Sequence, residues 1–353
     1  MTPGHLLSAK DLSVGYRRRY KSAPILQGLN LAVAPGELVC LLGPNGVGKS
    51  TLLLTLAGLQ PPLAGAVTVD GVNIAATRPT ELARQIGVVL SERIAVGALR
   101  AREMVALGRY AHSGWSGRLS AADHRAVDRA IDSVNATHLA DRDCRELSDG
   151  EKQRLNIARV LAQEPKLIVL DEPTAFLDVA SRVELMLLLR QLTRNVGLSV
   201  IASTHDLDLA LRHSDETWLV TPDREFHRGA PEDLVAGGKI AAAFAADRLE
   251  FDPKTLGFRS SRAQAQTATV YGPAQGRWLA ETVLEREGFK ISDDGRLTIE
   301  VTDNQGRWRS QHDSAEITGT SFAALGTFVR RAALRRNEVD EPSSKSGVKE
   351  ELS

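Results

Sequence analysis

Short apolar runs alternate with helical periods along the first two thirds of the chain. Residues 37–42, 166–170 and 199–203 have the composition of buried strands, and residues 49–58 have the spacing of a helix. Strands that alternate with helices are typical of a parallel sheet covered by helices. The pattern therefore predicts an α/β domain with a mostly parallel sheet core over residues 1–249.

A helical pattern interrupts this alternation. Residues 100–140 are helical in period and rich in Ala and Arg, with a Ser-Gly-Trp-Ser-Gly break at residues 113–117. We therefore expect an inserted helical lobe at about residues 93–163.

The pattern changes again after the first domain. Two strand periods and two helical periods follow, at residues 267–271, 276–288, 297–301 and 321–336. They predict a small C-terminal α+β domain over residues 250–336, whose role no motif indicates. Residues 337–353 are polar and almost free of large apolar side chains, so they cannot offset their ordering entropy. We expect this last segment to be a disordered tail.

Charge and cysteine content narrow the classes of function. Lys and Arg together number 44, as do Asp and Glu, so no net field favours nucleic acid or an anionic membrane as the main partner. The two cysteines, Cys40 and Cys144, lack the short spacing of a metal site and favour a reducing, cytosolic compartment. No run reaches the ~18 apolar residues of a membrane span, and the first residues lack a signal-peptide pattern. We expect a protein that neither crosses the membrane nor is exported.

A glycine-rich segment follows the first buried strand and matches the phosphate-binding pattern G-x-x-x-x-G-K-[ST]. It consists of Gly43, Pro44, Asn45, Gly46, Val47, Gly48, Lys49 and Ser50. A chance glycine turn is the alternative, but the place between a predicted strand and a predicted helix favours a P-loop. Its backbone N–H groups would surround phosphate oxygens and Lys49 would neutralise the β- and γ-phosphates. Ser50 would offer its hydroxyl to Mg²⁺, and Thr51 would lie near the α-phosphate.

A second buried strand ends in two adjacent carboxylates, Asp171 and Glu172, followed by Pro173. Open α/β sheets place ligands at the carboxyl ends of their strands. Asp171 would hold Mg²⁺ through water, and Glu172 would orient and deprotonate the attacking water. An acidic strand end before a proline turn is the alternative, which the preceding P-loop disfavours.

Residues 147–151, Leu-Ser-Asp-Gly-Glu, precede a helical run. Ser148 and Glu151 fit a capping box, which is a purely structural motif. The segment also resembles the signature Leu-Ser-Gly-Gly-Gln of the ABC ATPase family, and the resemblance spans about residues 7–244. It implies a P-loop NTPase fold and hydrolysis of ATP with Mg²⁺.

The same resemblance implies a homodimer. Ser148 and the Gly150 backbone N–H would bind the γ-phosphate of ATP held in the P-loop of a second subunit. Asp149 replaces the family's first glycine. We expect its carboxylate to turn away from the nucleotide, because like charges repel.

Three further positions match family motifs in order. Asp178 ends a segment that resembles the D-loop and would bridge the two subunits near the catalytic water. His205 follows a strand in a segment that resembles the switch region and would hydrogen-bond the γ-phosphate, although a lone His is more often structural. Tyr16 stands where the family stacks an aromatic ring on adenine, although a hairpin Tyr usually serves packing.

One position departs from the family pattern. After residues 86–90 the family carries a Gln that touches Mg²⁺ and the attacking water, and here the residue is Ser91. The shorter side chain would reach the metal through a water, or Glu92 would intervene, or the coupling geometry would differ.

Residues 103–110, 114–115 and 206–211 resemble importer ATPases for iron-siderophore, haem and cobalamin complexes, although helical packing alone could account for them. This likeness implies integral-membrane permease subunits as partners, an extracytoplasmic binding protein acting indirectly, and a peripheral location on the cytoplasmic face of the inner membrane. The alternatives are an ABC ATPase of a different transport or non-transport system, and a nucleotide-binding regulatory module whose hydrolysis is weak because of Ser91.

Overall fold

The structure is a computed structural model, which describes residues 4–18, 21–91, 98–113, 118–245, 249–253, 255–260, 266–312 and 315–337. The described residues divide into two compact units. The first contains those within 1–246 and 250–259, and the second contains Leu249 and those from 260 onward.

Seventeen strands and eleven α-helices are found in the described part of the chain. The strands are β1 (Leu7–Arg18), β2 (Lys21–Val33), β3 (Leu38–Leu42), β4 (Ala64–Val69), β5 (Val72–Asn73), β6 (Ile86–Val89), β7 (Leu167–Leu170), β8 (Ser199–Ser203), β9 (Glu216–Val220), β10 (Phe226–Gly229), β11 (Leu249–Asp252), β12 (Gly257–Ser260), β13 (Gln266–Tyr271), β14 (Phe289–Ile291), β15 (Leu297–Val301), β16 (Trp308–His312) and β17 (Ala315–Gly319). The helices are α1 (Lys49–Leu56), α2 (Pro79–Leu82), α3 (Ala101–Ala106), α4 (Ala121–Ser133), α5 (Asp149–Leu161), α6 (Val179–Val196), α7 (Leu207–His213), α8 (Pro231–Ala236), α9 (Lys239–Ala243), α10 (Ala274–Arg286) and α11 (Phe322–Asn337). Short 3-10 helices occur at Ile74–Ala76, Leu107–Ala111, Thr137–Leu139 and Cys144–Glu146.

The centre of the first unit is a six-stranded sheet with the order β10-β9-β3-β8-β7-β6. Its neighbouring strands pair in parallel except at the β10–β9 edge, as the sequence pattern predicted. The burial of β3 on both faces explains why its sequence is an unbroken apolar run. Leu38, Cys40 and Leu42 face one hydrophobic core, while Val39 and Leu41 face the other. Both faces are covered, so both must be apolar.

A second, antiparallel sheet with the order β2-β1-β4-β5 was not distinguished in the sequence. The reason lies in β1, where the pairing register shifts between Ala9 and Leu12 and Asp11 has φ 46°. A bulge of this kind inserts one residue and moves the apolar positions to the other phase of the alternation. Leu7 and Ala9 before it, and Leu12 after it, nevertheless enter the same core.

Helices α3, α4 and α5 pack against one another and form the helical lobe that the pattern predicted. The Ser-Gly-Trp-Ser-Gly break falls largely on residues 114–117, outside the described residues. Helix α5 also packs on β6, where a side chain at Gly87 would lie only 2.0 Å from Val160 Cγ1. The lobe is therefore fitted closely to the edge of the central sheet.

The second unit has a five-stranded sheet with the order β14-β13-β15-β16-β17 and its own hydrophobic core. Helices α10 and α11 pack against each other and supply Leu284 and Leu325 to that core, opposite Ile299 and Trp308 of the sheet. The predicted small α+β fold is thus present, but residues 250–259, which the sequence pattern assigned to it, belong to the first unit. Within the described residues, no helix combines the length and the apolar character needed to span a bilayer.

Candidate nucleotide-binding site

The loop between β3 and α1 depends on glycine at two close approaches. Gly43 has φ 149°, and a Cβ there would lie 2.5 Å from the carbonyl oxygen of Val220. Gly48 has φ 109°, and a Cβ there would lie 2.5 Å from Ile25 Cγ2. Any side chain at either position would displace the loop. The glycines of the phosphate-binding pattern therefore hold the backbone against the sheet in the curled form that anion binding requires.

Lys49 opens α1 and lies beneath this loop. The residue is 6% exposed, and its Nζ donates to the carbonyl oxygens of Gly43 and Pro44 at 2.8 and 3.0 Å. Burial lowers the pKa of Lys49, and the nearby carboxylates of Glu172 and Asp171 oppose that effect. The ammonium group thus stands between the loop and two acidic side chains, where it can neutralise a phosphate.

The other residues of the loop differ in exposure. Val47 is buried and anchors the loop, whereas Asn45, Gly46 and Ser50 are exposed. Thr51 Oγ1 lies 3.3 Å from the hydroxyl of Tyr16, whose side chain is largely exposed. The structure therefore places the Tyr16 ring beside the first turn of α1, on the side of the loop.

Asp171 and Glu172 follow the last residue of β7. Asp171 is 7% exposed and its backbone N–H donates to Val89 O at 2.9 Å. Ser203, at the end of the neighbouring strand β8, donates its hydroxyl to Asp171 Oδ1 at 2.7 Å and accepts the Glu172 backbone N–H at 2.9 Å. Glu172 has φ 50°, a left-handed backbone that costs energy for any residue other than glycine. Such strain is common at functional sites.

His205 lies two residues beyond β8. Its Nε2 is 2.8 Å from Glu172 Oε1, and both side chains remain partly exposed. The carboxyl ends of β3, β7 and β8 therefore bring Lys49, Asp171, Glu172 and His205 together, which is the assembly that the motifs predicted from separate parts of the chain.

The signature segment is arranged as a helix cap. Ser148 is the N-cap of α5, and its backbone N–H and hydroxyl donate to Glu151 Oε2 at 2.8 and 2.9 Å. The Glu151 N–H in turn donates to Ser148 Oγ at 3.2 Å. Helix α5 packs on α3 and α4, whereas α1 packs on β1 and β8. The signature helix and the helix that follows the P-loop thus pack on different elements of the chain.

Asp178 is the N-cap of α6 and accepts the Ser181 N–H at 2.7 Å. This backbone hydrogen bond is the main cause that lowers the pKa of Asp178. A Cβ at Gly150 would lie 3.0 Å from Ser181 Oγ. The starts of α5 and α6 are thus adjacent, so Ser148, Gly150 and Asp178 belong to one surface.

Ser91 is exposed and lies two residues beyond the register pair Val89–Leu170, just after the strand next to the one that Asp171 and Glu172 follow. Glu92, the other residue considered for this position, lies outside the described residues, as do Gly114 and Trp115.

Sequence reasoning missed Ser203, which the strand pattern of β8 hides. Thr204 was missed too, although its hydroxyl lies 3.3 Å from Thr174 Oγ1 and accepts the Asp206 N–H at 3.0 Å. Only their position directly before His205 could have drawn attention to them.

The donor set fits Mg²⁺. Asp171 Oδ1 is engaged by Ser203, while Oδ2 accepts no hydrogen bond from a described residue, and the Ser50 hydroxyl is exposed. Carboxylate and hydroxyl oxygens are the hard ligands that Mg²⁺ prefers, with water in its remaining positions.

Comparison with known proteins agrees with this geometry. A family profile described as ABC transporter matches residues 26–175. An uncharacterized ABC transporter ATP-binding protein of Methanocaldococcus jannaschii is 40% identical over 230 residues, which cover 65% of this chain and 78% of that protein. The ferric enterobactin transport ATP-binding protein of Escherichia coli is 34% identical over 251 residues, which cover 71% of this chain and 91% of that protein.

The similarity to a third relative covers more of this chain. The cobalamin import ATP-binding protein of Halobacterium salinarum is 38% identical over 314 residues, which cover 87% of this chain and 76% of that protein. An alignment of this extent cannot be contained in the first unit, so the similarity continues into the second.

Two solved structures share the fold of the first unit. A metal-chelate type ABC transporter in an inward-facing conformation matches with a TM-score of 0.59 at 30% identity, covering 68% of this chain and 89% of that chain. A dimeric ATP-binding cassette in a post-hydrolysis state, bound to ADP and Pi, matches with a TM-score of 0.52 at 29% identity, covering 60% of this chain and 93% of that chain. The resemblance inferred from the motifs is confirmed, and the chain is an ABC ATPase that belongs to the family of ABC transporter ATP-binding proteins.

Proposed function

We propose that the protein hydrolyses ATP with Mg²⁺ as a homodimer and thereby drives an ABC importer for a metal chelate of the iron-siderophore, haem or cobalamin type. The observation that carries the proposal is the convergence of Lys49, Asp171, Glu172 and His205 at one edge of the central sheet. Phosphoryl transfer requires little of a protein beyond such positioning and charge stabilisation.

Each residue has a distinct task in this proposal. The P-loop N–H groups and Lys49 bind the phosphates, and Glu172 orients and deprotonates the attacking water. The 2.8 Å contact with His205 fixes the direction of the Glu172 carboxylate. Ser50, and Asp171 through water, would hold Mg²⁺, which would supply charge neutralisation for the phosphates. Tyr16 would stack on adenine, and Ser91 would contribute through a water.

The homodimer completes the site. Ser148 and the Gly150 N–H of one copy would cap the γ-phosphate in the P-loop of the other, and Asp178 would bridge the two copies. The start of a helix is suited to this because its N–H groups and dipole favour an anion. The dimeric ATP-binding cassette among the related structures supports the arrangement.

The transport role rests on the relatives. Proteins named for ferric enterobactin transport and cobalamin import are 34% and 38% identical to this chain. We therefore propose permease subunits as the direct partners, an extracytoplasmic binding protein as an indirect one, and the cytoplasmic face of the membrane as the location.

Glu172→Gln tests the hydrolytic part of the proposal. Loss of a general base costs about 10²- to 10⁴-fold in rate, so we expect the steady-state ATPase rate to fall by that factor while ATP binding persists. The variant should then accumulate an ATP-bound dimer, which size-exclusion chromatography detects. Glu232→Gln is the matched control, because Glu232 is an exposed residue in the first turn of α8, and it should behave as wild type.

An undiminished rate in Glu172→Gln would show that another group is the base. Wild-type protein whose turnover does not rise when it is reconstituted with its permease would favour the regulatory alternative.

A further inference from the structure

Ser203, the last residue of β8, carries a hydroxyl group that has no role in the proposed hydrolysis. Ser203 is fully buried, and its side chain bridges two different groups of the catalytic strand end. It donates to Asp171 Oδ1 at 2.7 Å and accepts the backbone N–H of Glu172 at 2.9 Å. One side chain thus contacts both consecutive carboxylate residues.

These two bonds have different consequences. A hydrogen bond to an ionised carboxylate is short and strong, so the bond to Oδ1 fixes the orientation of the Asp171 side chain. Its second oxygen, Oδ2, accepts no hydrogen bond from a described residue and stays available for a metal or its water. Since a hydroxyl has one donor and two acceptor sites, it can hold the carboxylate and the N–H at the same time.

The second bond acts on a strained backbone. Glu172 has φ 50°, a conformation that persists only where its surroundings determine it. Ser203 holds its N–H, and His205, two residues further along the chain, holds its side chain at 2.8 Å. The last residue of β8 and the segment that follows it therefore fix both the backbone and the carboxylate of the proposed base.

We propose that Ser203 is a positioning residue, which orients the Asp171 carboxylate for Mg²⁺ binding and fixes the backbone of Glu172 with a single hydroxyl. The inference rests on the role of Asp171 in Mg²⁺ binding given above. Ser203 acts through Asp171 and Glu172, because its buried hydroxyl already donates one hydrogen bond and accepts another.

The test is a Mg²⁺ titration of nucleotide binding by the full-length protein, followed with a fluorescent ATP analogue. Asp171 would hold Mg²⁺ through water, so it is an outer partner of the metal site, and loss of such a partner typically costs about 10- to 100-fold in metal affinity. Ser203→Ala leaves Asp171 in place but free to turn, so we expect the Mg²⁺ concentration for half-maximal nucleotide binding to rise by about tenfold, the lower end of that range. Nucleotide affinity measured in EDTA should stay at the wild-type value, because the P-loop contacts are unchanged.

Ser199→Ala is the matched control. Ser199 begins the same strand, is equally buried, and also bridges two groups, accepting Gly36 N–H at 3.0 Å and donating to Ala34 O at 2.9 Å. A loss of stability without any change in the Mg²⁺ titration is expected there. If Ser203→Ala does the same as Ser199→Ala, Ser203 is merely structural and the inference fails.

A third variant separates this outcome from failure of the proposed function. Asp171→Asn should weaken Mg²⁺ binding in the same titration. If it does so while Ser203→Ala titrates as wild type, only the inference about Ser203 is wrong. If neither Asp171→Asn nor Ser203→Ala alters the titration, the assignment of Asp171 itself is overturned.

Discussion

Burial and neighbouring charges have opposite effects on the pKa of Lys49. Burial lowers its pKa, while Glu172 and Asp171 favour its charged form. Its Nζ is also held by the carbonyl oxygens of Gly43 and Pro44. These contacts direct the ammonium group to the inside of the loop, where a phosphate would accept the same hydrogen bonds.

Removing this ammonium group should weaken ATP binding. A hydrogen bond to a charged group contributes about 1.5–3 kcal/mol, so we expect Lys49→Ala to lose at least about tenfold in ATP affinity. Equilibrium binding of a fluorescent ATP analogue measures this. Lys166→Ala removes the same charge from an exposed ion pair with Asp70 and serves as the control. Wild-type affinity in Lys49→Ala would contradict its phosphate role.

The elements around the helical lobe are held by close contacts. The 3-10 helix Leu107–Ala111 is joined to the turn after α5 by Arg109, which is buried and donates to Ala162 O at 2.7 Å. His112 Nε2 lies 2.8 Å from Gln163 O in the same turn. That turn leads into β7, so the lobe is attached directly to the strand that Asp171 and Glu172 follow.

Gly108 is the position where this packing tolerates no side chain. A Cβ there would lie 1.9 Å from Arg159 O and 3.1 Å from Ala162 Cβ. Overpacking of this kind costs about 1–3 kcal/mol, so Gly108→Ala should lower the melting temperature by several degrees. Gly229→Ala is the control, since a Cβ at Gly229 would lie 4.0 Å from its nearest neighbour, Leu234 Cδ2. Equal melting temperatures for the two variants would contradict the packing argument.

At the scale of the whole molecule, most of the hairpin of β11 and β12, within residues 250–259, belongs to the first unit. Its ring pair Phe251–Phe258 has centroids 5.4 Å apart, and Phe258 also lies 5.9 Å from Phe244. Both Phe244 and Phe251 pack against the core of that unit. The cassette therefore uses packing residues that follow its last motif.

This packing should appear in the stability of truncated chains. Aromatic pairs contribute about 0.5–1.5 kcal/mol beyond their buried area. A chain of residues 1–260 should thus melt at a higher temperature than one of residues 1–249, with both binding ATP. Thermal unfolding followed by circular dichroism measures the difference. Identical melting temperatures would show that the hairpin contributes nothing to the first unit.

The sequence by itself determined which side chains meet at the candidate site. The P-loop, Asp171, Glu172 and His205 follow strands whose apolar runs are unmistakable, because strands of this sheet are buried on both faces. Carboxyl ends of neighbouring parallel strands meet at one edge, so the convergence of these residues could be predicted.

Only the tertiary structure decided the contacts between segments far apart in the chain. The bulge in β1, the two hydrogen bonds of Ser203 and the adjacency of Gly150 and Ser181 all depend on distances between non-neighbouring residues. Local patterns report periodicity along one segment. They do not indicate which hydroxyl group, 32 positions further along the chain, donates a hydrogen bond to a carboxylate.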